Sequence, residues 1–309
     1  MSASFLPSPF RAAWARARAE GVKARKRIER QDAMALVAPL TLILLLLYPG
    51  TLTETRAGLQ LGAVAGLLYR PLQRVPAYWW ALTALMALYC VLTWHDADNH
   101  KYLITYWCLA VGLSCWADDT AQALRMNGRL LVGLCFLVAV GWKLRTPDFL
   151  TGEYYQHAML TDDRITRVAQ LLAGMDASTF NANRDAVSML TAYSSTLERV
   201  ALDGPDVLRA LSKGMVAWTL AIESAIIGSF LWPGRSPWAA LGRDLSLLIF
   251  AATTYALANV GGFAWILLTM GLAQVRRERA SWRLGYLSVL ALVILYQIGP
   301  LDYLVAWFG

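Results

Sequence analysis

The sequence predicts an all-α protein that crosses a membrane about nine times and carries a helical cap on the outer side. Three observations favour this fold class. The 309 residues are 57% hydrophobic and only 16% charged, and they include 13 Trp and 13 Tyr, while the mean hydropathy is +0.43. Soluble domains are about a quarter charged, and Trp and Tyr are enriched at lipid–water boundaries. We therefore expect membrane lipids around the helices.

The N-terminal segment, residues 1–31, is predicted to be a basic helix in the cytoplasm or on the membrane surface. Eight basic residues crowd Arg11–Arg30, and Phe10 and Trp14 are the expected anchors. Basic residues beside a first span set topology and contact anionic lipids. For that reason the net charge of +7 does not indicate a nucleic-acid partner.

Residues 32–309 form the predicted transmembrane domain. A span needs roughly 17–25 apolar residues. The clear candidates are Met34–Gly50, Tyr78–Trp94, Tyr102–Ala117, Arg129–Lys143, Leu211–Trp232, Leu245–Val260, Gly262–Val275 and Leu284–Phe308. The segment Ala57–Tyr69 is shorter and reaches only about 20 Å at 1.5 Å per residue. It either crosses the membrane, giving nine spans, or lies in the interface, giving eight.

The basic loops favour the crossing. If Ala57–Tyr69 spans the membrane, every short basic loop lies in the cytoplasm, as the positive-inside rule requires. The N-terminus is then cytoplasmic and the C-terminus extracytoplasmic. The basic loops are Arg70–Arg74, Arg125–Arg129, Gly234–Arg243 and Arg276–Arg283. The Ala/Arg/Leu-rich composition suggests a bacterial cytoplasmic membrane.

The connector of residues 145–210 is the predicted extracytoplasmic cap. Two parts of it have apolar residues at helical spacing. The first set is Ile165, Val168, Leu171 and Leu172, and the second is Val187, Leu190, Tyr193, Leu197 and Val200. We expect Asn183 or Asp185 to cap the second helix.

Two charged residues stand in apolar segments. Lys143 ends its span directly before a Pro-Asp turn. It either extends to the membrane surface or is a desolvated amine that acts as a base. Glu223 lies near mid-span, where a charge is costly. It is protonated, bonded to hydroxyls such as that of Ser224, or paired with a cation, and both a structural and a functional role remain open.

The segment His95–Lys101 contains two histidines and two aspartates. Such residues can hold a metal, but a polar turn is expected between two spans, so no metal site is predicted. Asn99 and His100 are better candidates for a hydrogen-bonding or acid/base pair. Free thiols are expected at the four cysteines, because all lie in apolar runs without a C-x-x-C spacing: Cys90, Cys108, Cys115 and Cys135.

Two stretches together carry a family resemblance. "WHDADNHKYL" is followed about forty residues later by "GWKLRTPDFLTGE". This order resembles the HTTM (horizontally transferred transmembrane) family, whose best-known members are the vitamin K-dependent γ-glutamyl carboxylases. The matching positions are Asn99, His100, Tyr102, Leu103, Gly141, Lys143, Leu144, Asp148, Phe149, Leu150 and Gly152. The "IESAI" around Glu223 also looks like a glutamate-bearing family helix, and the resemblance covers most of the chain from about Arg30.

The resemblance implies an enzyme of the lyase or oxidoreductase type. Lys143 would be the base that deprotonates a reduced, vitamin K-like quinone, with His100 as its polar partner. Asn99, Tyr102 and Glu223 would then help to bind the cofactor. In the carboxylases the ensuing oxygen chemistry yields an epoxide and a strong base, which removes a proton from a peptide glutamate before CO₂ adds.

Two other functions remain open. The chain is alternatively a non-catalytic factor for the maturation or assembly of a secreted peptide or partner protein, bound by the cap. A transporter is a weaker alternative, in which Glu223 and Lys143 would line a path. No repeat is visible in the sequence, which makes the transporter less attractive.

Overall fold

A computed structural model of the chain describes residues 31–298 except 96, 193–199, 235 and 259, together with residues 19, 20, 22, 23, 26 and 28. These residues form 13 α-helices and two short 3₁₀ helices and contain no strand. The all-α prediction is confirmed. Phe10, Trp14, most of the predicted basic helix and the end of the last predicted span lie outside the described residues.

The chain divides into two compact units, of which the first comprises residues 1–129 and 268–290. Its helices are α1 (Ala33–Leu47), α2 (Thr53–Leu68), α3 (Pro76–Leu92), α4 (Asn99–Trp116) and the beginning of α5 (Thr120–Arg145). Helix α2 packs against both α1 and α3, and α3 packs along α4. A 3₁₀ turn at Arg70–Arg74 joins α2 to α3.

Three glycines let α2 approach α3 closely. Gly58, Gly62 and Gly66 are four residues apart and share one face of α2. A Cβ added at Gly62 would lie 2.8 Å from Leu82 of α3. At the same glycine, the Tyr78 hydroxyl of α3 donates to the Gly62 carbonyl at 2.8 Å. Small residues at this spacing are typical of close helix packing in membranes.

The second unit comprises residues 130–267 and 291–309. Besides the end of α5, its helices are α6 (Pro147–Thr151), α7 (Glu153–Thr161), α8 (Thr166–Ala173), α9 (Ala177–Ala192), α10 (Val207–Leu231) and α11 (Pro237–Leu257). The start of α12 (Gly261–Gln274) and the end of α13 (Ser281–Ile298) also belong to it. Helix α10 packs against α11, α6, α7 and α8.

Helices α6 to α9 lie within the predicted cap, and α7, α8 and α9 share a small apolar core with the start of α10. It consists of Ala158, Met159, Leu160, Ile165, Ala169, Met175, Phe180 and Leu208. Leu171 and Leu172, which the spacing placed on the buried face of α8, are 81% and 58% exposed. Ile165, immediately before α8, and Ala169 within it contact this core instead.

The prediction that Asn183 or Asp185 is the N-cap residue of the second connector helix is wrong. Helix α9 begins at Ala177, and the Asp176 carboxylate accepts the Thr179 backbone N–H at 2.6 Å. Asn183 is instead buried inside the helix. Its side chain donates to the Asp203 carbonyl at 2.7 Å and accepts the Asp203 N–H at 2.8 Å. The helix ends at Ala192, and the predicted continuation through residues 193–199 lies outside the described residues.

Two helices of the described part, α5 and α10, are long and apolar enough to cross a membrane. Four further apolar segments are shorter: α1, α3, α12 and Ser281–Tyr296 of α13. The expected loop Arg125–Arg129 lies inside α5, which starts nine residues earlier than expected. The Asp119 carboxylate accepts the Gln122 N–H at 2.8 Å and so stabilises the first turn of α5.

Other arginines of the expected loops are also helical. Arg243 is buried in α11, and Arg283 is buried in α13. The Arg283 guanidinium donates to the Gln31 carbonyl at 2.6 Å. These side chains therefore act in packing, and counting them as loop charges overstates the positive-inside signal.

Candidate functional site

Lys143 and Glu223 form an ion pair in the second unit. Lys143 lies in the last turn of α5, and its Nζ donates to Glu223 Oε1 in the middle of α10. The Lys143 side chain is 24% exposed and that of Glu223 is 6% exposed. Among the possibilities open for Glu223, the structure has the carboxylate paired with a cation. Lys143 is therefore more than an anchor to the membrane surface.

Helical periodicity explains why Lys143 points inward. Val132, Phe136 and Val140 precede it at spacings of three to four residues and are buried. Residues at this spacing share one face of a helix. Lys143 continues that apolar face by one further turn, so its stem packs with the face while its ammonium reaches α10.

Glu223 lies on the buried face of α10. Ser212, Val216, Ile226 and Phe230 share that face and are all buried. Thr219 lies one turn before Glu223, and its hydroxyl is 2.7 Å from the Tyr155 hydroxyl of α7. This hydrogen bond joins the cap to α10 directly beside the carboxylate.

Aromatic rings border the lysine on its cap side. Lys143 Nζ lies 5.7 Å from the centroid of the Phe149 ring, within the range of a cation–π interaction. The Phe149 and Tyr155 ring centroids are 5.5 Å apart. Gly152, with φ of 90°, makes the turn between α6 and α7. A Cβ there would lie 2.9 Å from Ser212 Oγ, so this turn requires glycine.

Two buried oxygens in this unit have no hydrogen-bond partner among the described residues. They are Glu223 Oε2 and the Tyr255 hydroxyl of α11. Cys135 lies two turns before Lys143 in α5, and Tyr255 lies in α11, which packs against the helix of Glu223. The Tyr255 ring is fixed by an edge contact with Phe250, at 5.8 Å between centroids. The ion pair thus has unused hydrogen-bonding capacity on the side away from Lys143.

Three other predicted site residues belong to the first unit. Asn99 begins α4 and is exposed. His100 Nδ1 is 3.9 Å from the Asp98 carboxylate, and the Tyr102 hydroxyl donates to the Trp94 carbonyl at 3.3 Å. The structure thus brings Lys143 and Glu223 together within one unit. That His100 assists Lys143 stays a prediction, as does the binding of a cofactor by Asn99 and Tyr102.

Sequence reasoning overlooked several polar residues. Lys101, next to the chosen His100, is buried, and its Nζ donates to the Tyr48 carbonyl. Thr219, Tyr155 and Tyr255 were also missed. The position of Thr219 one turn before Glu223 is a signal that the sequence contains. For Tyr155 the sequence offers no signal, because its partner lies 64 residues away.

The cysteines form no disulfide and no metal-binding group in the described part of the chain. All four are free thiols, and Cys90 and Cys108 are buried. Within the described ranges, no three His, Cys, Asp or Glu side chains are placed to hold a metal ion. The chemistry available at the site is thus that of an amine, a carboxylate, a thiol and phenol hydroxyls.

The Lys143 amine and the Glu223 carboxylate are in hydrogen-bond contact and can share one proton between them. With no net charge the pair holds one exchangeable proton, and its uptake of a second leaves a net charge of +1. In surroundings of low polarity this charge attracts an anion more strongly than it would in water. The arrangement can therefore take a proton from a weak acid and hold the anion that remains.

Comparison of the chain with protein-family models, with curated proteins and with solved structures found no match.

Proposed function

We propose that this chain is an HTTM-like integral membrane enzyme in which Lys143 accepts a proton from a quinol-like or other lipid-soluble substrate. The observation that carries this proposal is the Lys143–Glu223 pair, in which the carboxylate is buried and the amine is partly open. A buried ion pair contributes little net stability, and intramembrane charges commonly mark functional sites. An acid–base role accounts for its position.

The residues present fit a reduced quinone. Phe149 and Tyr155 provide flat apolar rings beside the amine. In the proposed step the pair reacts in its uncharged form, with –NH₂ on Lys143 and –COOH on Glu223. The substrate hydroxyl transfers its proton to the Lys143 amine, and the ammonium that forms holds the resulting oxyanion. When bound, a reduced quinone supplies oxygen-dependent chemistry of the kind seen in the carboxylases. Lys143 would bind the substrate, orient its hydroxyl and remove the proton from that hydroxyl.

The membrane arrangement is part of this proposal. The two long apolar helices support a membrane location, and the basic loops favour nine crossings with a cytoplasmic N-terminus. The location is proposed to be a bacterial cytoplasmic membrane with residues 145–210 outside. Labelling of single cysteines introduced at exposed cap positions in intact cells tests the orientation. Protection of those cysteines until the cells are lysed would contradict it.

Lys143→Arg separates proton acceptance from charge pairing. Arginine keeps the cation and its pairing with Glu223, but its guanidinium does not release a proton. Purified protein in liposomes would receive 2-methyl-1,4-naphthohydroquinone, and its oxygen-dependent consumption above that of empty liposomes would be measured. We expect Lys143→Arg to lose at least about 100-fold in rate, the usual contribution of a general base. The control is Lys213→Arg, at an exposed lysine of α10.

Two outcomes would refute the enzymatic proposal. Wild-type rates equal to those of empty liposomes would exclude this substrate class. Wild-type turnover in a folded Lys143→Arg protein would exclude Lys143 as the base. Size-exclusion profiles of both variants show whether the fold is retained.

The exposed leucines of α8 favour a second candidate function. Leu171 and Leu172 are exposed next to each other on the cap, and adjacent exposed apolar side chains provide a place where a partner can bury apolar surface. A maturation or assembly factor would bind a secreted peptide or partner protein there. Photo-crosslinking from position 170, an exposed glutamine of α8, tests this function. It predicts that Leu171→Ser with Leu172→Ser abolishes the crosslink while Lys143→Arg does not; recovery of lipid alone would contradict it.

A further inference from the structure

The outward face of α5 is apolar over the stretch that precedes Lys143. Five large apolar side chains there are between 40% and 75% exposed. Their spacings of three or four residues place them on one face of the helix. The stretch from 130 to 142 contains no charged residue. The α5 strip, as we name this face, consists of Leu130, Leu134, Leu137, Val138 and Trp142.

The α5 strip needs an apolar neighbour. The opposite face of α5 is also apolar, and its residues Val132, Phe136 and Val140 are buried. A helix that is hydrophobic all round belongs in a core or in a membrane, and in the described part of the chain the strip is exposed. Since α5 is also long and apolar enough to cross a membrane, acyl chains are the neighbour that fits.

Trp142 marks the end of the apolar layer. It is the last residue of the α5 strip and is 75% exposed. Tryptophan is enriched where the acyl chains meet the headgroups. The exposed charged residues Arg145 and Asp148 follow within six positions, as expected beyond that boundary. Lys143, the next residue after Trp142, therefore lies at the boundary itself.

The surface next to Lys143 is apolar and aromatic. Leu144, Leu150 and Tyr154 are all about half exposed. The Tyr154 ring lies 6.1 Å from the Phe149 ring, between centroids, and Phe149 is the ring that faces Lys143 Nζ. Aromatic contacts thus lead from the amine to the exposed ring of Tyr154.

We infer that the α5 strip faces the acyl chains of a phospholipid bilayer and that Lys143 opens onto the lipid–water boundary at the end of this strip. The substrate reaches the amine sideways from the bilayer. The inference rests on the proposed function for the role of Lys143. It deepens that function by naming the substrate class, an amphiphile whose hydroxyl lies at the boundary while its apolar part stays among acyl chains.

Photolabelling by lipids tests the α5 strip in the unaltered full chain. The protein is placed in vesicles of phosphatidylethanolamine and phosphatidylglycerol. A trace of phosphatidylcholine carries a diazirine either at the end of an acyl chain or next to the glycerol, and labelled residues are identified by mass spectrometry. Leu134 lies about 12 Å deeper than Trp142, at 1.5 Å per residue. We therefore expect the chain-end probe to label Leu134 and the glycerol-side probe to label Trp142 and Leu144.

The buried face of α5 is the internal control. Val132, Phe136 and Val140 should carry no label from either probe, because they pack inside the protein. Equal labelling of both faces would overturn the inference. So would an unlabelled strip, which would show that a second copy of the chain or water covers it.

Two amine reagents test the opening at Lys143. Phenyl isothiocyanate enters the bilayer, whereas its sulfonated analogue stays in water, and each adds to a neutral amine to give a thiourea. The ratio of the two modifications is compared between Lys143 and Lys23, whose side chain is 74% exposed. Because both reagents need the same neutral amine, differences in protonation cancel. The preference for the lipid-soluble reagent should be at least about tenfold greater at Lys143, since a charged group enters an apolar layer only at a cost.

The remaining outcomes separate this inference from the proposed function. Equal ratios at the two lysines would show that Lys143 opens to water, and no modification of Lys143 would show that it is closed; both overturn the inference. The expected labelling and ratio, together with wild-type turnover in Lys143→Arg, would support the opening and refute the base. Lost turnover in Lys143→Arg without labelling of the strip would overturn the opening and leave the base in place.

Discussion

Replacing Lys143 by methionine tests the ion pair without any ligand. Methionine keeps a long, flexible, apolar side chain and removes the charge. Glu223 then remains in its buried position, with a side chain that is 6% exposed and with neither oxygen paired. Removal of one partner from a buried pair costs about 3–5 kcal/mol, because the other charge is left without compensation.

Protonation of Glu223 sets an upper limit to this cost. The carboxyl can become neutral instead of staying charged. From an ordinary glutamate pKa of about 4.3, neutralisation at pH 7 costs about 3.7 kcal/mol. We therefore expect Lys143→Met to lose about 3–4 kcal/mol in free energy of unfolding at pH 7.

The pH dependence gives the sign of the effect. In the methionine variant the folded chain holds a proton on Glu223 that the unfolded chain releases. Stability therefore rises as the pH falls, by about 1.4 kcal/mol for each unit between pH 7 and the ordinary carboxyl range. Glu223→Gln should cost less, about 1–2 kcal/mol, because the partly exposed Lys143 can turn its ammonium to water.

The assay is reversible unfolding of purified protein by SDS in mixed micelles, followed by circular dichroism between pH 5 and pH 8. Lys213→Met, at an exposed position of α10, is the control and should stay within about 0.5 kcal/mol of wild type. The reasoning is refuted if Lys143→Met is no less stable than this control at pH 7. It is equally refuted if the loss does not shrink in acid.

Two further predictions concern the cap. Asn183→Ala leaves both backbone groups of Asp203 without their partner. It should lower the free energy of unfolding by about 2–3 kcal/mol, whereas Asn181→Ala, at an exposed position of the same helix, should not; denaturant titration compares them. The hydrogen bond from the Thr179 N–H lowers the pKa of the Asp176 carboxyl. The stabilisation of α9 by this bond is therefore present above the ordinary carboxyl pKa and is lost as the pH falls through the lowered pKa. Hydrogen-exchange protection of the first turn of α9, corrected for intrinsic rates, should fall in that acid range for wild type and show no such step in Asp176→Ala.

Helix existence was predictable, but helix ends were less so. The apolar runs mark the centres of α1, α3 and α10 correctly, because periodic burial is a local property of the sequence. The start of α5 was missed, since Arg125 and Asn127 read as a polar loop. In the structure the Asn127 amide donates to the Ala110 carbonyl at 3.2 Å and the Ser114 hydroxyl at 3.0 Å, so a partner outside α5 holds this polar turn in the helix.

Polar residues in helices were misread for the same reason. Asn183 was read as a helix N-cap, because asparagine is among the residues preferred at that position. In the structure the Asn183 side chain bonds instead to the backbone of Asp203, 20 residues later. This bond joins two parts of the segment 145–210. Likewise the glycines of α2 were visible in the sequence, but only the approach of Tyr78 and Leu82 shows that they form a packing face.

The sequence by itself determined that the protein is all-α and rich in apolar helices, and it singled out Lys143 and Glu223, because a charge in an apolar run is costly wherever the run folds. Only the tertiary structure decided that each is the partner of the other. Their 80-residue separation along the chain contains no signal of this pairing, since helix packing and not spacing brings α5 and α10 together.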